Sequence, residues 1–129
     1  MNQKDIPPIT AERWIANLLE AARDLADRER QERRWLAPDR CAWERPEEVI
    51  CSFSDDCVFD LFLEQNVDSF SGKQRSAAFG VRDALNAFCA ATPQVLDPAA
   101  TLADPRWELV RQRAVEFVGA FEGKWPGAR

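Results

Sequence analysis

Three long stretches of this sequence place apolar residues three or four positions apart, the spacing that puts side chains on one face of an α-helix. The stretches start near Thr10, Ser71 and Asp104, which belong to the residue types that cap helix N-termini. No stretch of useful length alternates apolar and polar residues with a period of two, and no Asn-Gly or Asp-Gly hairpin turn occurs. The sequence therefore predicts an all-α fold, a single compact helical bundle of three long amphipathic helices. The predicted inward faces are Ile15, Leu18, Leu19, Ala22, Leu25 and Ala26; Ala78, Val81, Leu85 and Phe88; and Trp107, Val110, Ala114, Phe117, Val118 and Phe121.

Caps and prolines set the predicted limits of these helices. The first helix is expected to run from Thr10 to about Leu36, just before a proline that disfavours helical geometry. The middle helix has a capping box, because Ser71 is followed three residues later by Gln74. The last helix is expected to have Pro105 at its first position, where a missing N–H has no cost.

The two ends of the chain carry no further predicted element. Residues 1–9 are expected to be an extended lead-in and residues 123–129 a tail, so residues 1–129 form one domain. No apolar run follows the first residues as in an export signal, and none approaches the roughly 20 residues of a membrane helix. We expect a cytoplasmic protein with no membrane partner.

One or two short buried helices are expected between the first two long ones. Pro46 suits the first turn of one, and the other is expected from about Cys57 to Glu64. Residues 54–56, Ser-Asp-Asp, separate them, because these residue types prefer caps to helix interiors. The second helix is apolar nearly all round except at Asp60, which predicts that it is largely buried.

The segment FSDDCVFDLFLEQN, residues 53–66, sets Asp55, Asp56, Asp60 and Glu64 among six large apolar side chains. Asp55 or Asp56 is expected to cap a helix, a contribution of about 1 kcal/mol. The alternatives for the acids are a solvated edge, a partner surface, acid–base chemistry or metal binding. Since helical acids four residues apart repel by about 0.2–0.5 kcal/mol per pair, some compensation is expected. We predict that these four residues bind a partner and that none is catalytic or a metal ligand.

The distribution of charge favours a basic partner. Residues 44–68 hold eight acids and one base, a net charge of −7, whereas the rest of the chain has a net charge of +2. Such polarity steers encounters and selects complementary surfaces. The competing explanation is internal, because the basic stretch RERQERR at residues 28–34 could lie against the acids and neutralise part of them.

The composition excludes several chemistries. The chain has no histidine and no tyrosine, which removes Ser-His-Asp and Cys-His arrangements and histidine metal sites. It has no glycine-rich phosphate loop, and its net charge of −5 argues against direct nucleic-acid binding. Cysteines at positions 41, 51, 57 and 89 lack C-x-x-C spacing, and Cys57 and Cys89 are expected to be buried thiols. We expect no enzyme, no metal and no cofactor.

Three pieces of the sequence carry a resemblance to a known class of protein. FSDDCVFDLFL at residues 53–63, ALNAF at 84–88 and LADPRWELVRQRA at 102–114 resemble, in their layout, small bacterial immunity proteins of polymorphic or contact-dependent inhibition toxin systems. The resemblance implies tight binding and neutralisation of a cognate toxin domain with a basic surface, often a nuclease. Such a role would require an acidic region like that of residues 44–68.

A second reading remains open from the residues themselves. Trp35, Trp43 and Trp125 lie in connector or tail positions, where large aromatic side chains supply contacts to other proteins. They are compatible with a helical regulatory or scaffold protein that acts through homodimerisation.

Overall fold

The computed structural model describes residues 10–37 and 44–123, apart from the side chain of Asp56. This part of the chain contains no β-strand, which confirms the all-α prediction. The predicted lead-in, residues 1–9, and all but the first residue of the predicted tail lie outside the described residues. The elements in order are α1 (Ala11–Ala26), α2 (Arg28–Trp35), α3 (Pro46–Cys51), a π-helix (Ser52–Asp56), α4 (Phe59–Asn66), a 3-10 turn (Val67–Ser69), α5 (Gly72–Ala91), α6 (Pro98–Ala103) and α7 (Pro105–Phe121).

Helices α1, α5 and α7 form a frame in which α7 packs against the other two. Their buried side chains follow the predicted stripes closely. The Trp107 ring lies 5.2 Å from Phe88 of α5, and Phe117 lies 4.7 Å from Phe121, between ring centroids. Burial of such rings is the main source of stability in a helical core.

The frame helices begin where their caps predict. Thr10 accepts a hydrogen bond from the Arg13 N–H at 3.1 Å. Ser71 and Gln74 exchange bonds of 2.9 and 3.1 Å, which completes the capping box. Asp104 accepts from the Arg106 N–H at 2.8 Å. These bonds satisfy backbone donors that have no partner inside their helices.

The first helix is not continuous, contrary to prediction. It ends at Ala26, and Asp27 caps α2 by accepting from the Arg30 N–H at 2.9 Å. The buried side chain of Gln31 holds the break, because it donates to the carbonyls of Asp24 and Leu25 at 2.9 Å each. A buried amide with its bonds satisfied stabilises one local geometry.

Trp35 ends in the core rather than on the surface. Its side chain is 2% exposed and lies 5.6 Å from the Trp107 ring. The prediction that Trp35 supplies contacts to a second protein is therefore wrong, since its neighbours are internal. Trp43 and Trp125 lie outside the described residues.

The length and apolarity of the described helices bear on membrane insertion. None of those found in residues 10–37 and 44–123 combines the length and the apolarity that crossing a bilayer requires.

Candidate functional site

The acidic segment, residues 44–68, contains a helix interrupted in the middle. Helix α3 continues into the π-helix Ser52–Asp56, and Val58 then precedes α4 with φ 49° and ψ 58°. Val58 holds the N-cap position of α4 without a side-chain bond, and Asp55 lies inside the π-helix. Asp55 therefore caps no helix in the described part of the chain, and the expectation that Asp55 or Asp56 caps one stays a prediction for Asp56. The side chain of Asp56 lies outside the described residues.

Aromatic rings fix the interrupted helix to the frame. Phe53 and Phe59, one on each side of the interruption, have ring centroids 4.5 Å apart. Both meet Phe117 of α7 edge-on, at 5.8 and 5.7 Å. Trp14 of α1 donates its indole N–H to the Cys57 carbonyl at 2.6 Å. Packing on the frame thereby determines the path of the acidic segment.

A groove runs between the acidic segment and α5. It consists of two adjoining cavities of about 400 and 310 Å³, which share Asp60, Arg82 and Asn86 among their lining residues. Glu64 lines the first cavity and Asp55 the second. We call this depression, with its three carboxylates, the acidic groove. Of the four predicted partner-binding residues, the structure brings Asp55, Asp60 and Glu64 together.

Helix α5 supplies the opposite wall of the acidic groove. The Arg82 guanidinium lies 4.6 Å from the centroid of the Phe79 ring, within cation–π range. Its ion pair is with Asp83, at 2.9 Å, on its own helix. The wall therefore places a guanidinium, Arg82, and an amide, Asn86, opposite the carboxylates. Arg82 and Arg75 both lie over the Phe79 ring.

The three groove carboxylates are accessible to solvent. Asp55, Asp60 and Glu64 are exposed, and none of their carboxylates forms an ion pair or hydrogen bond with another described residue. The acidic groove therefore holds three carboxylates without an ion pair among the described residues. The Arg82 guanidinium lines the same groove, and its ion pair is with Asp83 of α5.

Internal neutralisation affects the start of the acidic segment instead. Glu44 binds Arg30 at 2.8 Å and accepts from the Trp35 indole at 3.3 Å. Glu47 pairs with Arg45 at 3.2 Å. Among described residues, the predicted contact of the basic stretch 28–34 with the acids is thus confined to Glu44.

Two apolar side chains stand out beside the carboxylates. Val58 is 46% exposed and Leu61 is 40% exposed, although α4 was predicted to be largely buried. The inward residues of α4 are Phe59, Phe62 and Leu63. Neither Val58 nor Leu61 lines the acidic groove, so their exposed area adds to the surface outside it.

The cysteines differ from their predicted burial. Cys89 is exposed and Cys57 half-buried, so the prediction that both are buried is wrong. Cys89 lines the groove, where partial burial of the sulfur, and secondly the Asp55 carboxylate, raise the pKa of its thiol. Its thiolate is therefore disfavoured at neutral pH.

A separate cavity, of about 590 Å³, lies between α5 and α7. Lys73, Arg113 and Glu116 line it together with small residues. Arg113 pairs with Glu116 at 2.6 Å, which neutralises much of the charge there. In the described part of the chain no three Cys, Asp or Glu side chains are placed to hold a metal ion. The cavity between α5 and α7 therefore has fewer unpaired charged groups than the acidic groove.

Sequence reasoning missed the α5 wall and the turn at Val58. Phe79 and Arg82 are three residues apart, a helical neighbour spacing that would have pointed to their contact. For Val58 no signal existed, because a β-branched residue is the least expected type at positive φ.

No protein-family model, curated protein or solved structure matches this chain.

Proposed function

We propose that this chain is a non-enzymatic binding protein that neutralises a bacterial toxin domain by docking the acidic groove on a basic surface. The observation that carries the proposal is that Asp55, Asp60 and Glu64 remain exposed and unpaired within the described residues. A surface with self-repelling charge is best stabilised by a cationic partner, which also accelerates association.

The acidic segment also exposes apolar side chains. Val58 and Leu61 lie outside the groove lining and provide apolar contact area on this segment. Charged groups around apolar anchors give specificity, while the anchors supply most of the binding free energy. The immunity-type layout of residues 53–63, 84–88 and 102–114 supports the choice of a toxin as partner.

A growth experiment tests this function. Cells that express the protein encoded beside this chain's gene should stop growing, and co-expression of this chain should restore growth. The double variant Asp60→Lys/Glu64→Lys should fail to protect. The matched control Glu20→Lys/Glu29→Lys changes two other exposed carboxylates, which have no ion pair among described residues, and should protect fully.

Three outcomes would contradict the proposal. If the neighbouring gene product leaves growth unaffected, it is not a toxin that this chain neutralises. If the groove variant protects as well as the control, the groove is not the binding surface. Loss of protection by both variants makes overall charge, rather than the groove, the determinant.

A further inference from the structure

The interruption of the helix at residues 52–58 changes which side chains share a face. In an unbroken α-helix, residues are about 100° apart, so Asp55 and Asp60 would point about 140° away from each other. In the structure both line the same cavity. Phe53 and Phe59 would likewise diverge by about 120°, yet both pack on Phe117.

Two backbone features produce this change of phase. The π-helix Ser52–Asp56 has a wider turn than an α-helix, and Val58 then reverses the sign of φ to 49°. The Val58 N–H donates to the Asp55 carbonyl at 3.2 Å, and its carbonyl accepts from Phe62 at 3.0 Å. Val58 is thus hydrogen-bonded to both halves of the interrupted helix.

Valine is an unfavourable residue for this conformation. A β-branched side chain at positive φ crowds the backbone, whereas asparagine and glycine enter the left-handed region readily. Val58 is also 46% exposed, so core packing of its own side chain does not account for its conformation. Surrounding contacts hold the turn, among them the bond from Trp14 to the Cys57 carbonyl.

We propose that Val58 is a positioning residue for partner binding: its left-handed turn places Asp55 and Asp60 on the same groove. This inference rests on the proposed function, since it explains how that function's carboxylates converge. With this turn, Phe53 and Phe59 both pack on Phe117, and Asp55 and Asp60 both line the cavity beside α5. These contacts stabilise the strained turn.

Two substitutions separate the turn from the side chain. Val58→Asn retains the left-handed turn with less strain, so its melting temperature should rise by about 2–5 °C and its binding should be unchanged. Val58→Pro forbids the turn, because proline fixes φ near −65° and removes the N–H that bonds Asp55. The probe is an oligolysine peptide, followed by two-dimensional NMR of the labelled protein.

The pattern of perturbed signals is the readout that a merely structural role would not change. In the wild type and in Val58→Asn, the peptide should shift signals of Asp55, Asp60 and Glu64 together. In Val58→Pro, Asp60 and Glu64 should still respond while Asp55 does not. An intact three-residue response in Val58→Pro, or a fall in melting temperature for Val58→Asn, would overturn the inference.

A third measurement tests the inference if the Val58→Pro variant does not fold. In the wild-type turn, Asp55 faces Cys89 of α5, so Asp55→Asn should accelerate alkylation of Cys89, measured by peptide mass spectrometry. An unchanged rate would show that the turn does not deliver Asp55 to the groove. A wild type whose groove signals ignore the peptide would instead overturn the proposed function itself.

Discussion

Two regions of the molecule differ in what determines where their helices begin. They are the frame of α1, α5 and α7 and the acidic segment. The frame helices start at side-chain caps and bury continuous apolar stripes. In the acidic segment, α4 starts at an uncapped valine with positive φ, after a π-helix. Local sequence preferences thus suffice for the frame, whereas the acidic segment takes its geometry from the frame. Irregular backbone on a regular scaffold is a common location for binding surfaces.

The strongest test of this dependence is Phe117→Ala. Phe117 belongs to the frame but carries both Phe53 and Phe59 of the acidic segment. Its loss should lower the free energy of unfolding by about 3–5 kcal/mol, measured by urea denaturation. The control Val115→Ala, at a 52% exposed position of the same helix, should change it by about 0.5 kcal/mol or less. A loss below about 1 kcal/mol for Phe117→Ala would show that the two regions are energetically separate.

The break between α1 and α2 gives the next largest effect. Gln31 is fully buried, donates to two carbonyls and accepts from the Trp107 indole at 3.0 Å. Gln31→Ala should cost about 2–3 kcal/mol, because it leaves buried polar groups without partners. The neighbouring exposed Arg33→Ala is the control and should be nearly neutral. Equal unfolding curves for the two variants would contradict this role of Gln31.

Substitution of two aspartates, one in each region, compares the capped frame with the uncapped acidic segment. Asp104→Ala removes a frame cap and should cost about 1 kcal/mol, whereas Asp55→Ala removes no cap and should cost under about 0.5 kcal/mol. Hydrogen bonds from Arg106 lower the pKa of Asp104. The Asp104 contribution should therefore be present above the unfolded-state pKa, about 3.9, and disappear as the pH falls through the folded-state value. A larger loss for Asp55→Ala, in thermal unfolding across pH, would refute the assignment.

The smallest expected effect concerns Cys89. Burial and Asp55 raise the pKa of its thiol, so alkylation should be slower than for an unperturbed cysteine between neutral pH and the folded-state pKa. Asp55→Asn removes only the second cause, and the pH profile of the alkylation rate should shift partly toward lower pH. Asp97→Asn, a cap of α6, should leave the profile unchanged. A profile insensitive to Asp55 would place that carboxylate away from α5.

The sequence predicts the structure of the frame better than that of the acidic segment. Apolar spacing and the caps Thr10, Ser71 and Asp104 are local signals, and they located the starts of the three frame helices. The break at Asp27 was missed because Gln31 holds it as a buried amide, and one partner of that amide is Trp107, which is distant in sequence. For the same reason, the seating of Phe53 and Phe59 on Phe117 was invisible.

The candidate site was predictable in its charge but not in its shape. The clustering of acids in residues 44–68 is a property of the sequence. Which acids are neutralised depends on tertiary contacts, such as that between Glu44 and Arg30. The convergence of Asp55 and Asp60 depends on the turn at Val58, which opposes local preference.

The central claim is that the groove carboxylates serve binding and not folding. Its most direct test is to measure, for Asp60→Lys/Glu64→Lys and the control Glu20→Lys/Glu29→Lys, both thermal unfolding and affinity for the oligolysine peptide at low and high salt. We predict that both variants unfold within a few degrees of the wild type, about 1 kcal/mol or less, and that only the groove variant loses affinity, most strongly at low salt. A groove variant that binds as well as the control, or that loses its fold, would contradict the claim.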